Sequence, residues 1–149
     1  EHGFPPVVPV VTADDALAMQ RITRQVNVSL PVKEYVVNLG RATREHPLVA
    51  RGVSPRGTVL LQAAAQGWAA FDDRDYLLPD YVKKVAPLGL PPRIVPKAGA
   101  TLSRPEVVQE ALDSVPVPLE VPFPSHDHWS WYGPARNLHR PAGLRRRVR

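Results

Sequence analysis

Prolines divide this chain into short lengths. There are 18 among 149 residues, against an ordinary usage of about 5%. They cluster near the N-terminus, at positions 87–96, and from Pro116 onward. A proline inside a helix removes a backbone donor and clashes with the preceding turn, at a cost of about 3 kcal/mol. At the first helical position it costs nothing, and its fixed φ suits the helix. Pro31, Pro55, Pro79 and Pro105 each stand at the head of a segment with apolar spacing. The prolines therefore permit short helices and little else.

Five such helices are expected. Thr12-Ala13-Asp14-Asp15 reads as a capping box with Asp15 at N3, opening a helix over 13–25. Ala16, Met19, Gln20 and Thr23 lie near one side of it, with Leu17, Ile22 and Val26 beside them. Ser29 to Pro31 opens a second helix that runs to about Glu45, and Pro47 stops it. Its residues Val32, Tyr35, Val36, Leu39 and Thr43 form a clean helical stripe. A third helix begins at Pro55, with Leu60, Ala63, Ala64, Gly67, Trp68 and Phe71 expected as its core face. A glycine at mid-helix costs about 1 kcal/mol against alanine, so Gly67 implies close packing. Pro79 starts a fourth helix that ends by Pro87, and 91–96 reads as extended. Ser103-Arg104-Pro105-Glu106 is a second capping box, opening a fifth helix to about Ser114 with Val107, Val108, Ala111 and Leu112 as its apolar face. The fold class is all-α, a small bundle of five short helices. Residues 1–11 read as an extended lead-in, 12–118 as the helical domain, and 119–149 as an extended or disordered Pro/Arg-rich tail.

Charge sharpens that division. Residues 1–118 carry 13 Lys/Arg against 12 Asp/Glu, while 119–149 carry six Arg against Glu120 and Asp127. The basicity thus belongs to the tail. The absence of cysteine excludes disulfides and thiolate metal sites. No run of 18 apolar residues predicts a transmembrane helix, and nothing resembles a signal peptide. A start at Glu1 without Met reads as a processed or truncated chain, and a cytoplasmic location is expected.

Little of the usual catalytic equipment is visible. No G-x-x-x-x-G-K-[ST] loop is available to cradle phosphates, and no G-x-S-x-G elbow presents a nucleophile. Asp72, Asp73, Asp75 and Asp80 are acidic neighbours, but they lack the glycine and closing glutamate of an EF-hand. They read as a solvated turn followed by a helix N-terminal acid. His126, Asp127 and His128 have metal-ligand chemistry without a supporting set, so no metal site is assigned. Trp129, Trp131 and Tyr132 with the terminal arginines carry the groups that stack on and clamp single-stranded nucleic acid.

Gly52 to Gly57 stands apart. Ser54 is suited to N-cap the third helix, with Pro55 at N1. Arg56 then falls at N2, where a cation opposes the helix macrodipole. Such a charge is either a tolerated surface residue or one kept for an anion.

Four segments, read in order, carry a resemblance: Tyr35-Val36-Val37-Asn38-Leu39-Gly40-Arg41-Ala42-Thr43-Arg44-Glu45-His46-Pro47, Gly52-Val53-Ser54-Pro55-Arg56, Arg74-Asp75-Tyr76-Leu77-Leu78-Pro79-Asp80-Tyr81-Val82-Lys83, and Val85-Ala86-Pro87 with Arg93-Ile94. Together they resemble the C-terminal lid domain of a MoxR-family AAA+ ATPase. That family reads Y-I-V-x-L-V-R-A-T-R-x-H-P, G-A-S-P-R-A, G-R-D-Y-V-T-P-D-D-V, V-A-P and L-x-H-R. Val107 to Pro118 is similar to the family's last helix and its V-P-V-P ending.

The resemblance implies a helical lid that closes over a nucleotide, with ATP and Mg held mainly by an ATPase core absent from this chain. It places Arg56 as the sensor 2 residue, contacting nucleotide phosphates, with Ser54 and Pro55 positioning it. It implies a homo-hexameric ring in the full protein, a chaperone-like remodelling role, and a von Willebrand factor A domain protein as partner. No hydrolysis is expected from this chain alone. Gly57 replaces the usual Ala, which weakens the helix start slightly. Leu78 replaces a capping Thr, Tyr81 replaces the second Asp, and Pro91-Pro92-Arg93 replaces L-x-H-R, which leaves the role of Arg93 open. The alternative reading is a helical interaction module that binds nucleic acid or an acidic partner through its basic aromatic tail.

Overall fold

The computed structural model describes residues 9–119. Helix α1 (Ala13–Gln25) is followed by α2 (Leu30–Glu45), strand β1 (Val49–Arg51), α3 (Pro55–Phe71), α4 (Pro79–Gly89), a 3₁₀ turn (Pro91–Arg93), strand β2 (Val95–Pro96) and α5 (Arg104–Ser114). The all-α bundle of five helices is observed, with one two-stranded antiparallel ribbon added.

Helix α2 is the central element. Its stripe of Val32, Tyr35, Val36, Leu39 and Thr43 is buried as its spacing predicts, and Gly40 is buried with it. The core around it takes Val53 and Leu61 from the α3 side, Leu77 and Val82 from the α4 side, and Val107 and Val108 from α5. Beyond α5, Val115 is buried and Val117 packs against the same cluster. His46 ties the end of α2 to α5. Its Nδ1 accepts the Leu48 N–H at 3.2 Å. Its Nε2 lies 2.9 Å from Glu110 Oε2.

Several expectations are corrected. The buried face of α3 is Gly57, Thr58, Leu61, Ala65 and Ala69. Leu60 and Phe71, expected in the core, are 43% and 75% exposed, and Ala63 and Ala64 are exposed as well. This helix is apolar nearly all round, so spacing alone admits two faces; the close approach of α2 and α3 is seen where Thr58 meets Gly40. The close packing expected at Gly67 is not found either: a Cβ there would lie 3.9 Å from Thr23 Cγ2 of α1, an ordinary van der Waals contact with room for an alanine.

Helix α4 runs two residues past Pro87, to Gly89. The ring falls in the final turn, and the helix closes beyond it with the Leu90 N–H donating to Ala86 O at 3.0 Å. Residues 91–96, expected as extended, first make the 3₁₀ turn. They then pair with β1 in the register Val49↔Pro96 and Arg51↔Val95.

Helix α1 is different in kind. Its capping box is formed, with Thr12 N–H donating to Asp15 Oδ2 at 2.8 Å and Asp15 N–H to Thr12 Oγ1 at 3.1 Å. None of its residues is buried. It is anchored at its C-terminal end, where Val26 enters the core and Gln66 Nε2 donates to Val26 O at 2.8 Å.

Candidate functional site

The start of α3 is built as its residues suggest. Ser54 has extended backbone angles, and its Oγ accepts the Gly57 N–H at 3.2 Å. Pro55 is the first helical residue. Arg56 is exposed. It makes no hydrogen bond or ion pair with any of the described residues. A cation at N2 gains nothing from the helix dipole, and here it gains nothing from a neighbour.

The loop that delivers Arg56 is held hard. Val53 is fully buried. Its N–H donates to Thr43 Oγ1 at 3.0 Å, and its carbonyl accepts from Arg44 Nη1 at 2.6 Å. Thr43 Oγ1 donates in turn to Gly40 O at 2.8 Å. Consecutive residues in the last turn of α2 thus grip both polar backbone atoms of Val53. The glycines around them leave no spare room. A Cβ on Gly52 would stand 2.5 Å from Thr43 O and Arg44 N. A Cβ on Gly40 would collide with Thr58 Oγ1 and stand 3.4 Å from Arg44 Nη1, the space through which the Arg44 side chain returns along its own helix.

Arg93, whose role the sequence leaves open, lies against this helix start. A Cβ on Gly57 would come 2.8 Å from Val53 Cγ1 and 3.3 Å from Arg93 Cδ. Gly57 therefore does more than weaken the first turn; it admits Val53 and the stem of Arg93. The Arg93 Nε donates to Gly89 O at 3.2 Å, so its head is tied to the end of α4.

The acidic neighbours are dispersed. Asp72 is the C-cap of α3. Asp73 takes a left-handed φ of 56°. The Asp75 carbonyl accepts from Asn27 N–H at 2.7 Å. Asp80 lies in the first turn of α4, 3.8 Å from Lys83 Nζ. Among the described residues, no group of three or more His, Asp or Glu is placed to hold a metal ion. The Arg74-Asp75-Tyr76 segment is a strap: Tyr76 bridges to Asn27, and Arg74 Nη1 donates to Tyr76 Oη at 2.9 Å. Tyr81 joins it through Arg74 and Asp72. Leu78 caps α4 with no side-chain hydrogen bond, as a leucine must. His126, Asp127, His128, Trp129, Trp131 and Tyr132 lie outside the described residues.

Sequence reasoning found Ser54, Pro55 and Arg56 but not the hold on Val53. Thr43 and Arg44 stood in a recognised segment, yet nothing in their spacing from Val53 says that they touch it.

Residues 41–112 match the family model described as AAA lid domain. This part of the helical bundle, from the end of α2 through α5, is similar to an AAA lid domain. The chain is also similar to a Bacillus subtilis (strain 168) protein described as "Uncharacterized protein YeaC", with 37% identity over 122 residues. That match covers 80% of this chain and 38% of YeaC. A solved structure from Cytophaga hutchinsonii, described as a "putative ATPase", superposes with a TM-score of 0.67 and 27% identity. It matches over 70% of this chain and 36% of its own. The chain thus spans little more than a third of either relative. Among the described residues, no helix is long and apolar enough to cross a membrane.

Proposed function

We propose that this helical bundle is the sensor 2 lid of a MoxR-type AAA+ ATPase, contributing to ATP binding and hydrolysis by a chaperone-like remodelling machine. One observation carries the reading: Arg56 projects from the first turn of α3, exposed and unpaired among the described residues, on a loop held from both sides. A cation so presented suits phosphate oxygens on a facing surface and couples the lid angle to what occupies that surface. The facing surface belongs to an AAA+ core, which binds ATP and Mg with its own residues. This chain's contribution is Arg56, aimed by Ser54 and Pro55. In the full protein the reading places the lid in a homo-hexameric ring in the cytoplasm, with a von Willebrand factor A domain protein as partner.

The test joins the lid to its core in the longer protein and measures steady-state ATP turnover. Arg56→Ala lowers turnover by about 100-fold, the scale on which a single preorganised charge contact acts. Turnover equal to that of the unaltered protein overturns the assignment.

A further inference from the structure

We infer that Thr43 and Arg44 are positioning residues for Arg56, acting through the backbone of Val53. The inference rests on the reading of Arg56 as the phosphate contact. Val53 lies three residues before Arg56, and only Ser54 and Pro55 intervene. Both of its polar backbone atoms are taken, the N–H by Thr43 Oγ1 at 3.0 Å and the carbonyl by Arg44 Nη1 at 2.6 Å. Its side chain is fully buried, so it cannot slide along α2. Ser54 then bonds forward to Gly57, which joins the clamped residue rigidly to the first turn of α3. The direction in which Arg56 leaves the lid is therefore set by the last turn of α2.

Thr43 is fully buried, and its hydroxyl both donates and accepts. It donates within α2 to Gly40 O, which fixes its orientation, and accepts from a single loop residue ten positions away. A cap or a packing contact would not need this double hold. A contact that works by charge placement does, because an error of about 1 Å in a positioned group costs on the order of 100-fold in rate.

The experiment is a double-mutant cycle on turnover in the full-length ATPase. Thr43→Val keeps the shape of the side chain and removes the hydroxyl. It is expected to lower kcat by about 10-fold with KM for ATP changed far less. Thr43→Ser restores the hydroxyl and most of the rate. Arg44→Met, at a partly exposed position, releases the carbonyl without opening the core and gives a smaller loss. In an Arg56→Ala background, Thr43→Val and Arg44→Met produce no further loss. Three results overturn the inference: wild-type kcat in both single variants, the same fold-loss with and without Arg56, or no rescue by serine. A full-rate Arg56→Ala protein would instead remove the sensor reading itself, an outcome separate from the other three.

Discussion

Gly52 has no room for a side chain, and the obstruction is backbone. A Cβ there meets Thr43 O at 2.5 Å and Arg44 Cα at 2.6 Å, atoms that cannot rotate away. Gly52→Ala is therefore expected to destabilise the domain by about 3 kcal/mol, the upper range for overpacking, and to push the start of α3 off α2. Urea denaturation followed by tryptophan fluorescence measures the first effect. A midpoint within error of wild type would show that the loop has slack. At this scale the sequence was partly legible. Capping chemistry at Ser54 and Pro55 is local, so the residues announce it. The grip of Thr43 and Arg44 on Val53 is not local, because it depends on two helices meeting.

The helices owe their ends to similar local chemistry. In α1 and α5 an acid at N3 accepts from the N-cap backbone: Asp15 from Thr12 at 2.8 Å, and Glu106 from Ser103 at 2.6 Å. Hydrogen bonds from Thr12 and Ser103 hold these carboxyls below their ordinary values of 3.8 and 4.5. A lowered acid contributes stability above its unfolded-state value and loses it as pH falls through the folded one. Both caps are thus intact at neutral pH and fade below about pH 4. NMR titration of the side-chain carboxyls checks this. Thr12→Ala should raise the midpoint of Asp15 and leave Glu106 unmoved, and an unmoved Asp15 would show that the cap does not perturb it. The element boundaries were readable because caps and prolines punctuate them. The buried face of α3 was not, since Leu61, Ala65 and Ala69 compete with the larger Leu60, Trp68 and Phe71 for the same description. Packing in the shared core favoured the first set. The β1–β2 ribbon escaped reading as well: Val49–Arg51 and Val95–Pro96 are too short to show a period, and α3 and α4 lie between them in the chain.

Across the whole molecule, α2 sits at the centre and α1 at the margin. Leu39 is fully buried in the shared core, so Leu39→Ala leaves a cavity and is expected to cost about 2–5 kcal/mol. Amide hydrogen exchange should then show α2 to α5 losing protection together, while α1, with no buried side chain, exchanges early in both proteins. Equal protection of α1 and α2 in the unaltered chain would contradict this hierarchy. The sequence by itself determined how many helices form, where they begin, and that Arg56 stands at a helix start where the dipole disfavours it. These follow from φ restriction, capping and the stripe of α2, all properties of residues within a turn or two of each other. Only the tertiary structure decided which face of α3 is inward, that 91–96 turns before pairing, and that α2 holds the loop before Arg56. Each of those depends on a close approach between separate elements, and the fit of Gly40, Gly52 and Gly57 to that approach exists only once the elements have met.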